Sequence, residues 1–388
     1  FLVFFEGNGW TQLDNAQKRY IRERIAYKAN GRPNYNKVTY DHWFGIHSGF
    51  DFNEMMRQAK RAAELGCEYF CLDAGWYGIG AFGASGKGQW DEPDPVKFPN
   101  GTADLKRLSD YCRSLGMGFG IWHQVETRNG AGPSMDMATE DGRADALKTL
   151  RKWCTEYGLT WMRWEMVGSG GLEYINGYHQ VMDTLTREFP DLNIECCSGG
   201  GTRFDLGMVQ YCTSTWLSDH TANPEVCRFN QTGALRFWPA YFLNLAVRVH
   251  RNTGDQEAYA HNLISRMVGA PSFNGDIAQW SPQATARIRK LVDAYKNIRH
   301  LQSQPVLFPL PQPRSPRDWD VVVFGDGTGP GQLLYAFRME GKDKVFVGVP
   351  SAPGEWKLVM SSADARIEPA HDGFLLSLPP NSSAVWRR

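Results

Sequence analysis

Carboxylates and tryptophans recur together in this 388-residue chain where short β-branched or aromatic runs end. The clearest cases are Asp41-His-Trp43, Asp73-Ala-Gly-Trp76, Trp122-His-Gln-Val-Glu126, Arg163-Trp164-Glu165, Glu195-Cys-Cys197 and Trp216-Leu-Ser218-Asp219-His220. Acids accept hydrogen bonds from hydroxyl groups and indoles stack on C–H faces. A site mouth built of such residues, with few bases, therefore suits a neutral polyhydroxylated ligand. It also offers the pair of carboxyl groups that glycosidic cleavage uses, one to protonate the leaving oxygen and one to attack or to activate water. Any one of these acids taken singly is explained as well by a capping or supporting role, so the pairing carries the argument.

Other chemistries fit poorly. Gly78-Ile-Gly80-Ala-Phe-Gly83 matches a dinucleotide-binding pattern, but Gly86 and Gly88 follow where the phosphate-binding helix should begin. Gly86-Lys87 is followed by Gly88 and not by Ser or Thr, so it is not a P-loop. The nine histidines show no metalloprotease spacing, and no metal or cofactor is called for. His123 and His220 read as hydrogen-bonded pocket residues. The eight cysteines are scattered and read as buried free thiols, with Cys196 and Cys197 pointing to opposite faces of a strand. Lys plus Arg and Asp plus Glu both number 42, which gives no field to attract nucleic acid. No apolar run approaches the ~18 residues of a membrane-spanning helix.

The elements that must position these residues alternate. Runs near Val38–Ile46, Glu68–Asp73, Gly118–Trp122, Leu159–Met166, Asn193–Cys197, Ser214–Ser218, Trp238–Leu245 and Pro271–Asp276 read as strands. Stretches of helical period separate them, notably Asn53–Leu65, Thr102–Leu115, Asp141–Tyr157, Tyr174–Phe189, Asp255–Val268 and Pro282–Gln302. Eight such units over residues 37–303 predict an α/β fold, a (β/α)8 TIM barrel, whose chemistry belongs at the C-terminal strand ends. The Pro-rich stretch 304–318 reads as a linker, and residues 319–388 as a small C-terminal antiparallel β-sandwich domain. Residues 1–36 read as the tail of an upstream β domain and its connector. The Phe1 start suggests a chain that begins inside a longer precursor.

Several motifs together resemble the glycoside hydrolase family 36 α-galactosidases. They are Leu72-Asp73-Ala74-Gly75-Trp76-Tyr77, the Gly88-Gln-Trp90 to Phe98-Pro99-Asn100-Gly101 stretch, Gly116-Met-Gly-Phe-Gly-Ile-Trp122, Arg163-Trp164-Glu165-Met166, Glu195-Cys-Cys-Ser-Gly-Gly-Gly-Thr-Arg-Phe-Asp205 and Trp216-Leu-Ser-Asp219. The resemblance implies an exo-acting, retaining α-glycosidase. Glu165 takes the nucleophile position and Asp219 that of the acid/base. Cys197, Gly200 and Arg203 match the family's Cys-x-x-Gly-x-x-Arg motif, associated with an unsubstituted sugar 2-hydroxyl. Asp73, Trp43, Trp90, Trp122 and Arg163 complete the expected substrate contacts. The implied partner is a carbohydrate, with room left for a homo-oligomer.

Three departures qualify what the resemblance implies. Ala74 stands where the family has a second Asp, which removes one sugar-binding carboxylate. Arg163 and Glu165 replace a Lys and an Asp, so the nucleophile is one methylene longer. The loops after strands three and four are shorter than is usual in the family, and its substrate-binding Arg after strand three has no clear counterpart, Arg128 being the one candidate. A related enzyme for a modified galactose, an arabinopyranose or a fucose-type sugar is therefore the alternative, with a catalytically impaired carbohydrate-binding homologue as the third reading.

Overall fold

In the computed structural model the described residues are 7, 9–78, 90, 92–126, 135–165, 170–248, 256–326, 330–348 and 355–388. Most of the Gly78–Gly83 run, Gly88 and Gln89, Met166, Arg128 and the Phe1–Phe5 start lie outside them.

Eight parallel strands close in chain order into a barrel: β1 (Thr39–Asp41), β2 (Tyr69–Leu72), β3 (Gly118–His123), β4 (Trp161–Trp164), β5 (Asn193–Cys196), β6 (Ser214–Trp216), β7 (Leu243–Arg248) and β8 (Ala270–Asn274). The expected barrel is borne out. Side chains alternate along each strand. Phe70, Leu72, Phe119, Ile121, Met162, Trp164 and Ile194 face the helices and form the main core, while Asp41, Asp73, Arg163, Glu195 and Asn244 meet inside the barrel.

Local chemistry explains the helix boundaries. Asp51 caps the helix Phe52–Leu65 by accepting from Glu54 N at 2.7 Å, and Gly66 ends it at φ 86°. Ser281 caps Pro282–Ile298 by accepting from Ala284 N at 3.1 Å, with Pro282 at the first turn, where no N–H is needed. Two expected strands differ from those found. The first stops at Asp41, because Asp41 Oδ1 accepts from Trp43 N at 2.6 Å and turns the chain into a short helix, Trp43–Ile46. The seventh begins at Leu243, because Pro239 leads into a 3-10 turn over Ala240–Phe242.

Beyond the barrel lie two antiparallel sheets. The first contains β9 (Val306–Leu307), β10 (Asp320–Phe324), β11 (Leu333–Arg338), β13 (Lys357–Ser361) and β16 (Ser382–Arg387) in the order β13-β16-β11-β10-β9. The second orders β12 (Lys344–Val347), β15 (Gly373–Ser377) and β14 (Arg366–Ala370) as β12-β15-β14. The Pro-rich stretch is thus partly structured, since Val306 and Leu307 pair with Phe324 and Val323. The helix Trp10–Tyr20 precedes the barrel, and Asn15 hydrogen-bonds both ways with the backbone of Val306 at 2.7 and 2.9 Å. Among the described residues no helix is long and apolar enough to cross a membrane.

Candidate active site

The barrel interior is organised around one cation. Arg163, on β4, donates from Nε to Glu195 Oε2 at 2.6 Å and from Nη1 to Asp73 Oδ2 at 2.7 Å, and it also contacts Asp41. Its guanidinium lies 4.3 Å from the Trp216 ring centroid. All four charged groups are buried, so three carboxylates converge on one guanidinium. Glu195 is further held by Asn244 Nδ2. Asp41, Cys71 and Asp73 are close enough to share a metal ion, but the Arg163 guanidinium already pairs with both carboxylates.

Above this floor opens a pocket of ≈ 240 Å³. That is smaller than the ~300–1,000 Å³ of sites that take drug-sized ligands and suits a single sugar ring. Of the residues singled out from the sequence, Trp43, Asp73, Trp122, Arg163, Glu165, Cys197 and Asp219 line it together. They come from the ends of β1 to β6, which is what the barrel and the alternation of side chains require.

The two implied catalytic carboxyls sit in different surroundings. Glu165 is buried; its backbone N–H donates to His123 O at 2.8 Å, and its Oε1 accepts from the N–H of Gly199. Burial pushes its carboxyl up from the ordinary value, and the nearby Asp219 carboxylate adds to this. The Cys197 thiol, the Gly199 N–H and the Arg163 charge pull it back. Burial and the Glu165 carboxylate in turn hold the Cys197 thiol protonated, as a donor. Asp219 lies on the exposed rim, where its Oδ1 accepts from Trp216 Nε1 at 2.9 Å. One carboxyl is buried below and the other is reached by solvent above, so the two sit in distinct environments.

Between them runs the turn Ser198–Gly201, in which all four residues have positive φ (57°, 59°, 75° and 98°). Four successive left-handed residues are tolerable only where glycine dominates. The Gly199–Gly201 run supplies this.

Three residues implied by the resemblance do not line the pocket. Trp90 is buried against Tyr77, Trp76 and Trp122, with ring centroids 4.5, 6.4 and 6.1 Å away, so it backs Trp122 instead of meeting a ligand. Gly200 packs against Asp219. Arg203 directs its charge at Glu126 and Tyr178, toward the helix Leu172–Glu188. His123 sits between Trp153 and Trp164, and neither ring nitrogen has a hydrogen-bond partner among the described residues; His220 is exposed. Conversely, Phe44, Gln124, Gly199 and Trp216 line the pocket although the motif reading gave them no role. Gln124 was detectable, since it lies two residues beyond Trp122 and so shares its face. Phe44 carried no such signal. It stacks on Trp216 at 5.7 Å and an interplanar angle of 9°.

The chain spans about half the length of the curated relatives it matches. It is 26% identical to α-galactosidase Mel36A of Lactobacillus acidophilus over 356 residues, covering 80% of this chain and 47% of that protein. It is 28% identical to α-galactosidase AgaA of Geobacillus stearothermophilus over 341 residues, covering 76% and 45%. The crystal structure of the family 36 α-galactosidase AgaA superposes with a TM-score of 0.78 at 22% identity, over 98% of this chain and 59% of that one. The α-galactosidase from Lactobacillus brevis gives 0.79 at 18%, over 99% and 59%. The family model described as Melibiase matches residues 1–142 and 149–304, which takes in the Trp10–Tyr20 helix and all eight barrel strands. The resemblance carried by the motifs is thereby borne out, and the chain belongs to the melibiase family.

Proposed function

We propose that the protein is an exo-acting, retaining α-galactosidase that removes terminal α-linked galactose. The observation that carries this reading is the convergence of Glu165 and Asp219 on one ring-sized pocket walled by Trp43, Trp122 and Trp216. AgaA variants have been solved with raffinose and with stachyose, which supports an oligosaccharide ligand for this chain too. The 37–303 barrel is the catalytic unit in this reading, with 304–318 leading into the 319–388 β domain.

Asp219, at the rim, protonates the glycosidic oxygen as the aglycone leaves. Glu165 attacks the anomeric carbon from below, and Asp219 then takes a proton from the water that hydrolyses the glycosyl ester. Trp216 Nε1–H orients Asp219, while the Gly199 N–H and Cys197 thiol orient Glu165. Asp73, the tryptophans and Gln124 are left to grip the ring, and Arg163 holds Asp73 in place. The scheme needs no group beyond these side chains.

One observation favours a second reading. Ala74 lines the pocket and is only 1% exposed, so a methyl group replaces a carboxylate against the sugar. An arabinopyranoside or a fucose-type sugar loses less at such a wall than galactose does. Hydrolysis of p-nitrophenyl α-D-galactoside, β-L-arabinopyranoside and α-D-fucoside tests both readings, with Glu165→Ala and Asp219→Asn as controls. Turnover of the galactoside that Asp219→Asn abolishes supports the first; preference for another sugar supports the second. Sugar binding without turnover in the parent favours the binding-protein reading, and activity appearing only in Glu165→Asp would trace the loss to the extra methylene.

A further inference from the structure

We propose that the left-handed turn Ser198–Gly201 is the spacer that sets the separation of the two carboxyl groups, with Gly200 as the positioning residue for Asp219; this rests on the catalytic roles proposed above. The turn touches both acids. On one side the Gly199 N–H is bonded to Glu165 Oε1. On the other, a Cβ built on Gly200 would lie 2.7 Å from Asp219 Cγ and 2.9 Å from both its Cβ and its backbone nitrogen. The turn cannot slide away to make room, because a Cβ on the next residue, Gly201, would lie 2.5 Å from Leu217 O and 2.8 Å from Trp216 O. It is therefore wedged against the end of β6, the segment that carries Asp219 and its partner Trp216.

The left-handed backbone and the missing side chain serve one purpose here. A right-handed turn would direct the Gly199 N–H elsewhere, and any side chain at Gly200 would drive Asp219 outward. Displacements near 1 Å between reacting groups cost on the order of 100-fold in rate. Cys197 begins the same run and donates to Glu165, so five successive residues, 197–201, bridge the two acids.

The test pairs two glycines of similar backbone. Gly200 has φ 75° and meets Asp219; Gly116 has φ 80°, lies far from the pocket and would have its Cβ in open space. Ala at either position carries the same left-handed strain, so Gly116→Ala controls for strain alone. The expected result is that Gly116→Ala keeps the parental kcat on p-nitrophenyl α-D-galactoside, while Gly200→Ala loses about 100-fold. A displaced acid matters less for better leaving groups and is bypassed by a small anion. The Gly200→Ala loss should therefore shrink on 2,4-dinitrophenyl α-D-galactoside, and added azide should restore turnover. Melting temperatures give a readout independent of activity: Gly200→Ala should lower Tm less in an Asp219→Gly background than in the parent. Equal activities for the two alanine variants, or a Gly200→Ala loss that is the same for every leaving group and deaf to azide, would overturn the inference. So would a Gly200→Ala drop in Tm as large in the Asp219→Gly background as in the parent. A parent without turnover on any glycoside would overturn the underlying functional reading first.

Discussion

The indole Nε1–H of Trp216 donates to Asp219 Oδ1 at 2.9 Å, while the face of the same ring lies 4.3 Å from the Arg163 guanidinium carbon. One side chain thus joins the acid on the rim to the cation on the floor, with Phe44 stacked beside it. Trp216→Phe keeps an aromatic face but removes the N–H and, with it, one of the two fused rings. A hydrogen bond to a charged group is worth about 1.5–3 kcal/mol. The variant should therefore lose roughly 10- to 100-fold in kcat/KM, read by steady-state kinetics, beside a thermal melt that registers the cavity left at this buried position.

Arg163 is a structural keystone before it is anything else. Replacing it with Met leaves Asp41, Asp73 and Glu195 buried together without their shared cation. Breaking a buried ion pair from one side costs about 3–5 kcal/mol. Protonation relieves like-charge repulsion among stranded carboxylates, so the deficit of Arg163→Met should narrow as pH falls from 7 to 5. Denaturant unfolding of parent and variant at several pH values would reveal it, and a deficit that widens toward acid would count against this account.

The acid limb of the pH profile should report Glu165. The nucleophile must be ionised, and burial raises its pKa, so kcat/KM should fall with decreasing pH at values above the ordinary carboxylate range. The Cys197 thiol opposes that rise. Cys197→Ala removes the donor, raises the Glu165 pKa further and should move the acid limb to higher pH while leaving the alkaline limb in place.

Stability should also depend on pH, through buried histidines. Burial lowers the pKa of His42, His123 and His261 to about 3 each; Arg266 and Arg228 add to the effect at His261, which faces Ser383 Oγ at 3.0 Å. Between pH 6.5 and 3 the unfolded chain binds protons at these sites that the folded chain does not, so stability falls as pH falls below about 6.5. Each histidine contributes up to about 1.4 kcal/mol per pH unit in that window. His261→Gln should flatten the dependence of Tm on pH between 6.5 and 4.5, by roughly one proton's worth.

How much of this was legible beforehand depends on where the signal lay. The barrel was legible because its outward strand faces are apolar and its helices carry caps such as Asp51 and Ser281. The helix Pro224–Ala234 was not, because its buried face is Cys227, Arg228, Gln231 and Thr232. Such a face has no apolar period to detect; it becomes burial-compatible only through Asp320 on β10, which takes Arg228 Nη1 at 2.5 Å and Thr232 Oγ1 at 2.7 Å. The edge strand β14, mostly exposed and containing Pro369, was silent for a similar reason. In the site, acids at strand ends were found because period two fixes their direction. Trp90 misled, since composition cannot separate an aromatic that meets a ligand from one that backs another aromatic. Arg203 misled because it lies beyond the turn, where strand alternation no longer predicts direction.

The most direct test of the central claim, that Glu165 and Asp219 form a retaining pair acting on α-galactosides, is proton NMR of p-nitrophenyl α-D-galactoside during its first minutes with the protein. The account predicts that α-galactose appears first and equilibrates to the β anomer only later. β-Galactose as the first product, or no release of galactose at all, would contradict it.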